Sequence, residues 1–358
     1  MSVQQGPWDP KTSLRDSVAV ITGACNHGIG WGLAVHCAVR NGMHVALVDL
    51  RADAIDAAVG ELAQICPEAK VVGIACDVSQ TDEMRRCVAA VQLNFPKQRV
   101  GAVFANAGVF FQGVLEKQPI EEWSMTSQVN VIGVVNTIQA FLPALQASSE
   151  PSILATTSSI AGLMIGDGAT AAYGASKHAV VALTEALSFE LARKHPQIRV
   201  HVLLPCQVRS SLYRTSASSR VDLIRAAGGS EEALRKAKQV EGVVNDAFQK
   251  ASIESESLTF FISPENHAAE VFTAISRAEF YVLGENVRPY ADHDFPFGAF
   301  ERLQERHDGI MRLQLDNRDA LEPNTQHGPV GQPRSRVLKG PMYREMRRLG
   351  NEKLKAKL

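Results

Sequence analysis

Tyr173-Gly174-Ala175-Ser176-Lys177 puts a phenol and an ammonium four residues apart, and on a helix that spacing sets both on one face. Val180, Leu183, Leu187 and Leu191 continue the run at helical spacing, which predicts a helix. A free phenol loses its proton near pH 10. Bringing that to about 7 requires roughly 3 pH units, or about 4 kcal/mol, within reach of nearby positive charge. Such a pair suits proton transfer, although the spacing alone is common on surface helices. A second constellation, Thr22-Gly23-Ala24-Cys25-Asn26-His27-Gly28-Ile29-Gly30, follows an apolar run and opens a helix-like one. Glycines there let the backbone approach a pyrophosphate, and the helix N-terminus offers free N–H groups and a positive dipole. Asp49 stands 19 positions after Gly30 at the end of the next apolar run, close to the separation of a carboxylate that grips adenosine ribose hydroxyls. A tight structural turn also favours glycine, but this context points to nucleotide binding.

These groups need a scaffold, and the chain supplies a rhythm. Val18–Thr22, His44–Asp49, Val71–Asp77, Val100–Asn106, Ile153–Thr157, Arg199–Pro205 and Phe280–Gly284 read as buried strands. Between them, stretches such as Gly32–Arg40, Ala52–Gln64 and Asp82–Leu93 read as amphipathic helices. Alternating strands and helices predict an α/β fold, a doubly wound parallel sheet of about seven strands covered on both faces, with right-handed crossovers. The expected organisation is one domain over residues 14–318, after a polar arm at 1–13 and before a basic C-terminal extension at 319–358. A polar, helix-prone insertion at 211–257 breaks the rhythm and is expected to lie over a substrate mouth as a low-stability lid with few core anchors. Packing against another subunit is the alternative for the insertion.

Composition excludes rather than identifies. The 358 residues are 45% hydrophobic and 21% charged, with a net charge of -1. Nothing global suggests nucleic acid or an anionic membrane as a partner. The polar start and the absence of an apolar run of about 18 residues predict neither a signal peptide nor a membrane span. Six scattered cysteines lack metal-ligand spacing, so reduced core thiols, a cytoplasmic protein and no metal are expected.

Taken in order, the motifs resemble the short-chain dehydrogenase/reductase superfamily, in its main single-domain branch, over roughly residues 14–318. The resemblance implies a Rossmann-type fold and an NAD(P)-dependent oxidoreductase acting on an alcohol or ketone. It implies that Gly23, Asn26, His27, Gly28, Ile29 and Gly30 form the phosphate turn, here one residue longer than the usual spacing. Asp49, Leu50 and Arg51 fall at the adenosine ribose, Asp77 and Val78 at the adenine, and Asn106-Ala107-Gly108 along the cofactor cleft. Tyr173 becomes the general acid/base, and Lys177 lowers its pKa and holds the nicotinamide ribose. Ser159, 14 residues before Tyr173, orients the substrate oxygen, with Ser158 as a substitute. Asn130 holds a relay water. Pro205, Val208 and Ser210 meet the nicotinamide, with Cys206 standing where the family expects glycine.

Two questions stay open at this level. Asp49 opposes a 2′-phosphate and favours NAD, whereas Arg51 and His27 leave room for NADP. Phe110, Phe111, Leu163–Ile165 and Tyr213 are expected to face the substrate, which suggests a hydrophobic, cyclic or bulky secondary alcohol or ketone. An NADPH-dependent carbonyl reductase of a biosynthetic pathway, a sugar-nucleotide epimerase or dehydratase and a non-catalytic cofactor sensor are the alternatives. A homodimer or homotetramer is the expected assembly.

Overall fold

All seven apolar runs form strands in the computed structural model: β1 (Val18–Thr22), β2 (His44–Asp49), β3 (Val71–Ala75), β4 (Val100–Ala105), β5 (Ser152–Thr157), β6 (Ile198–Leu204) and β7 (Tyr281–Leu283). The structure describes residues 8–25, 27–165, 168–226, 228–253, 262–283, 305, 307 and 308. Every strand pairs in parallel, in the order β3-β2-β1-β4-β5-β6-β7. The helices are α1 (Pro10–Ser13), α2 (Ile29–Asn41), α3 (Ala52–Ile65), α4 (Thr81–Asn94), α5 (Ile120–Ser127), α6 (Gly133–Gln146), α7 (Ala171–Lys194), α8 (Leu212–Ala226), α9 (Glu231–Ile253) and α10 (Pro264–Ser276).

The strands read as continuous apolar runs because successive side chains enter different cores. Ala19 and Ile21 of β1 join Val45, Leu47 and Phe104 in a core covered by α2, α3 and α10. Val18 and Val20 join Ala46, Val48 and Val103 in the opposite core, under α4, α6 and α7. Strand order reverses between β1 and β4. The crevice of a doubly wound sheet opens at that point, beyond the carboxyl ends of the strands.

The N-terminal segment, the insertion and one long apolar helix add detail to the sequence-based expectation. Trp8 and Pro10 are buried, Asp9 caps α1 through Lys11 N, and the Arg199 guanidinium lies 4.7 Å from the Trp8 ring. The described part of the expected polar arm, residues 8–13, therefore packs on the core through Trp8 and Pro10. The described part of the insertion consists of α8 and α9 packed on each other, and α8 carries buried Ser216, Ala217 and Val221. These three residues anchor α8, where the sequence suggests few core anchors. The continuous helical stretch Ile120–Gln146 is long and apolar enough to cross a membrane by length and composition; here it packs beside the sheet and carries buried Asn130. The extension at 319–358 lies outside the described residues.

His201 of β6 is fully buried, and its Nδ1–H donates to Glu279 O at 2.7 Å. Burial, aided by the charge of Arg199, lowers its pKa from 6.5 to about 4. Because the folded value is depressed, the stability it contributes is present above pH 6.5 and is lost as pH falls from 6.5 toward 4. The full loss is ~3 kcal/mol. Thermal melts should show wild type losing more stability over this window than His201→Asn, whose shorter amide does not titrate. Parallel melting curves would assign the acid sensitivity to other groups.

Candidate active site

A cleft of about 1240 Å³ opens at the carboxyl ends of the strands, where the order reverses. From β1 it takes Gly23, Gly28 and Ile29; from β2, Asp49, Leu50 and Arg51; from β3, Asp77 and Val78. Asn106, Ala107 and Gly108 follow β4, Ser158 and Ser159 follow β5, and Pro205, Val208 and Ser210 follow β6. Residues dispersed over nearly 190 positions thus share one wall.

The first turn is shaped by close approach. Gly23 has φ +65°, and a Cβ there would fall 2.8 Å from Ala107 Cα. No side chain caps α2, whose N-cap is Gly28, so its N-terminus suits an anionic ligand through N–H groups and dipole. Asp49 Oδ2 accepts from Cys25 N at 3.1 Å, and Oδ1 accepts from Leu50 N at 2.9 Å. The carboxylate therefore braces the turn as well as facing the cleft. These features fit a dinucleotide: an uncapped helix start for its phosphates and a carboxylate at the end of β2 for a ribose.

Two residues assigned to that turn stand elsewhere. Gly30 does not line the cleft; a Cβ there would lie 2.4 Å from Gly23 O and 2.6 Å from Asn106 Nδ2, so its smallness serves helix-to-turn packing. His27, at the lengthened part of the loop, takes φ 48° and points away. Its ring meets Trp31 at 5.1 Å and its Nε2 lies 3.4 Å from Glu61. Asn26 lies outside the described residues.

At the other end of the cleft, α7 delivers Tyr173 and Lys177 to the termini of β4 and β5. Lys177 is buried and its Nζ donates to Thr157 O at 2.8 Å, 5.5 Å from the Tyr173 ring centroid. Burial lowers the Lys177 pKa to about 8. Burial also pushes the Tyr173 phenol up to about 12, partly opposed by its hydrogen bond with Ser159. The two neighbouring serines separate clearly. Ser158 Oγ donates to Lys177 O at 2.8 Å, which fixes α7 to the end of β5, whereas Ser159 adjoins the Tyr173 hydroxyl.

Asn130 stands behind the cleft wall in a π-helical turn, Gln128–Ile132. Its Oδ1 accepts from Val109 N at 2.8 Å, and its Nδ2 donates to Val109 O and Ser176 Oγ, each at 3.0 Å. Both amide hydrogens are taken, which leaves one Oδ1 lone pair for any water relay. Cys206 lines the cleft without a positive φ, so the turn after β6 does not require glycine. Burial raises the thiol pKa, which argues against a reactive thiolate.

The substrate-side expectations are half met. Phe110 and Tyr213 line the cleft: Phe110 meets Tyr173 edge-on at 4.8 Å and Tyr213 at 4.9 Å. Phe111 is instead buried under the Arg220 guanidinium, 5.7 Å from its ring centroid. Of the run Leu163–Ile165, Met164 lines the cleft, whereas Leu163 packs into the core beside α7 and Ile165 does not line the cleft. A run of apolar residues does not disclose which alternate residue turns inward. Sequence reasoning also missed Thr157 O, Ser176 and the pair Glu122–Arg220, whose significance depends on contacts between distant elements.

Similar proteins agree with this geometry. An uncharacterized oxidoreductase of Listeria innocua is 32% identical over 203 residues, covering 57% of this chain and 79% of its own. The 1-deoxy-11-beta-hydroxypentalenate dehydrogenase of Streptomyces avermitilis is 34% identical over 214 residues, covering 58% and 74%. A short chain dehydrogenase/reductase of Burkholderia phymatum, solved in complex with NAD, superposes with a TM-score of 0.64 at 25% identity, over 89% of this chain and 99% of its own. An alcohol dehydrogenase of Thermococcus sibiricus, complexed with 5-hydroxy-NADP, gives 0.50 at 29% identity, over 55% and 79%. Residues 17–220 match the short chain dehydrogenase family, so the chain belongs to that family and is an NAD(P)-dependent oxidoreductase of alcohol or ketone groups.

Proposed function

We propose that the cleft interconverts a hydrophobic, cyclic or bulky secondary alcohol and its ketone, with NAD as the preferred cofactor and Tyr173 as general acid/base. The carrying observation is the convergence of Ser159, Tyr173 and buried Lys177 on the cleft wall. A bound nicotinamide supplies the hydride acceptor or donor. Tyr173 takes the alcohol proton in oxidation and returns one to the carbonyl oxygen in reduction. Ser159 donates to the same oxygen as charge develops on it. Lys177, with Thr157 O as its fixed partner, presents positive charge toward the phenol and reaches the cofactor ribose. Phe110, Tyr213 and Met164 exclude water and favour an apolar frame around the carbinol carbon. Asp49 favours free ribose hydroxyls over a 2′-phosphate because like charges repel.

Initial rates with a panel of secondary alcohols and ketones test this assignment directly. Tyr173→Phe should lower kcat by roughly 10²–10⁴ while leaving NADH affinity within a few-fold. Retention of more than about a tenth of activity would remove the phenol from the proton step. Ser159→Ala should lower kcat, whereas Ser158→Ala should chiefly lower Tm by loosening α7.

Cofactor choice is tested by comparing kcat/KM for NAD and NADP. Wild type should prefer NAD, and Asp49→Ala should narrow or invert that ratio by removing the repulsive carboxylate. A tenfold wild-type preference for NADP would overturn the cofactor assignment.

Ultraviolet titration addresses the phenol itself. In cofactor-free protein, the difference between wild type and Tyr173→Phe should show no Tyr173 ionisation until pH approaches about 12. Lys177 loses its charge above about 8 and cannot assist there. Ionisation should move downward with bound NAD, whose positive ring favours phenolate. An unchanged titration would exclude cofactor charge as the activator.

A further inference from the structure

Behind the substrate side of the cleft lies an ion pair that the proton chemistry does not use. Arg220 of α8 donates from Nε to Glu122 Oε1 at 2.6 Å and from Nη2 to Glu122 Oε2 at 3.0 Å. The Glu122 side chain is 7% exposed and that of Arg220 22%. A two-pronged geometry of this kind fixes orientation as well as distance. Arg220 Nη2 also donates to Gln112 O at 2.9 Å, and its guanidinium covers Phe111. On the other side, Gln118 Nε2 donates to Glu122 Oε2 at 3.2 Å and Phe111 O at 3.1 Å. One ion pair, with a buried carboxylate and a partly exposed guanidinium, therefore joins α5, the segment after β4 and α8.

The joined elements lead to the reacting end of the cleft. One helical turn before Arg220, buried Ser216 accepts from Phe110 N at 2.8 Å through its Oγ. Tyr213, about one turn earlier still, packs edge-on against Phe110, and Phe110 packs edge-on against Tyr173. We propose that the Glu122–Arg220 pair is a positioning device that clamps α8 and thereby sets the aromatic wall beside Tyr173, determining how a substrate is aligned. It rests on the proposed oxidoreductase reading of this cleft. Among the described residues the pair touches none at the dinucleotide end, so its loss acts on substrate alignment and leaves cofactor binding intact.

The experiment combines hydrogen exchange with kinetics on full-length wild type, Arg220→Met, Glu122→Gln and Arg220→Lys. Arg220→Met and Glu122→Gln should lose roughly tenfold or more of amide protection in residues 212–226 while β1 to β6 keep theirs. With 1-phenylethanol as probe, kcat/KM should fall roughly ten- to a hundredfold, as misalignment of a substrate does, while NADH affinity stays within twofold. Arg220→Lys keeps charge but loses the fork, and should fall between wild type and Arg220→Met; it also serves should a neutral variant not fold. Unchanged protection in 212–226, or a loss spread equally over the sheet, would overturn the clamp. So would a parallel fall in NADH affinity. Should wild type turn over no alcohol or ketone, the oxidoreductase reading of this cleft fails, while the exchange pattern still decides whether the pair holds α8.

Discussion

The site depends on how three strand ends are tied together where the sheet reverses direction. Asn106, just past β4, donates from Nδ2 to Thr22 O at 3.0 Å and Gly23 O at 3.1 Å, and accepts at Oδ1 from Thr157 Oγ1 at 3.0 Å. Its backbone N–H donates to Thr22 Oγ1 at 2.9 Å. One amide thus spans β1, β4 and β5. Each such bond contributes about 1 kcal/mol net, but leaving a buried partner unpaired costs about 1–3 kcal/mol. The arrangement is therefore hard to disturb in part. It holds the glycine turn on one side and the strand that leads to Ser159 on the other, so both ends of the cleft share one origin.

From that junction the polar network runs into α7. Thr157 gives its hydroxyl to Asn106 and its carbonyl oxygen to Lys177, and Ser158 bonds back to the Lys177 carbonyl. Ser176 accepts from Asn130 and donates to Tyr173 O. A buried ammonium is tolerated because it has this fixed acceptor, and its lowered pKa reflects the burial that remains. The phenol is held the other way: burial raises it, so the protein without cofactor keeps Tyr173 protonated. The resting site stores no phenolate, because burial works against the charged form.

The substrate side is built on a different principle. Phe110, Tyr213 and Met164 surround the reacting end with apolar surface, and the polar contacts that hold them lie a layer behind. Glu122 and Arg220 supply one of those contacts. A desolvated pair of this kind is weak evidence for added stability, since removing charges from water costs nearly as much as their attraction returns. Its directional fork makes it better suited to registering one helix against another.

Much of the fold was legible in the chain because the signals were local. Continuous apolar runs marked strands buried on both faces, and the 3.6-residue repeat after Tyr173 marked α7. Motif order then placed Ser159, Asp49 and Asn106 at strand ends and Tyr173 and Lys177 on one face of a helix. What the chain could not disclose was direction and partnership. Gly30 and His27 sit in the phosphate turn, yet one packs against Asn106 and the other turns to Glu61. Phe110 and Phe111 are chemically alike, but the contact with α8 sends one into the cleft and the other beneath Arg220. The insertion's serines and charges suggested a loose segment, whereas Ser216 and Arg220 find partners about 100 positions away. The sequence by itself determined the strand–helix alternation and the chemical inventory of the cleft, since both rest on residue type and short spacing. Only the tertiary structure decided which side chains face the cleft and which hold its walls, since burial and long-range hydrogen bonds have no local signature.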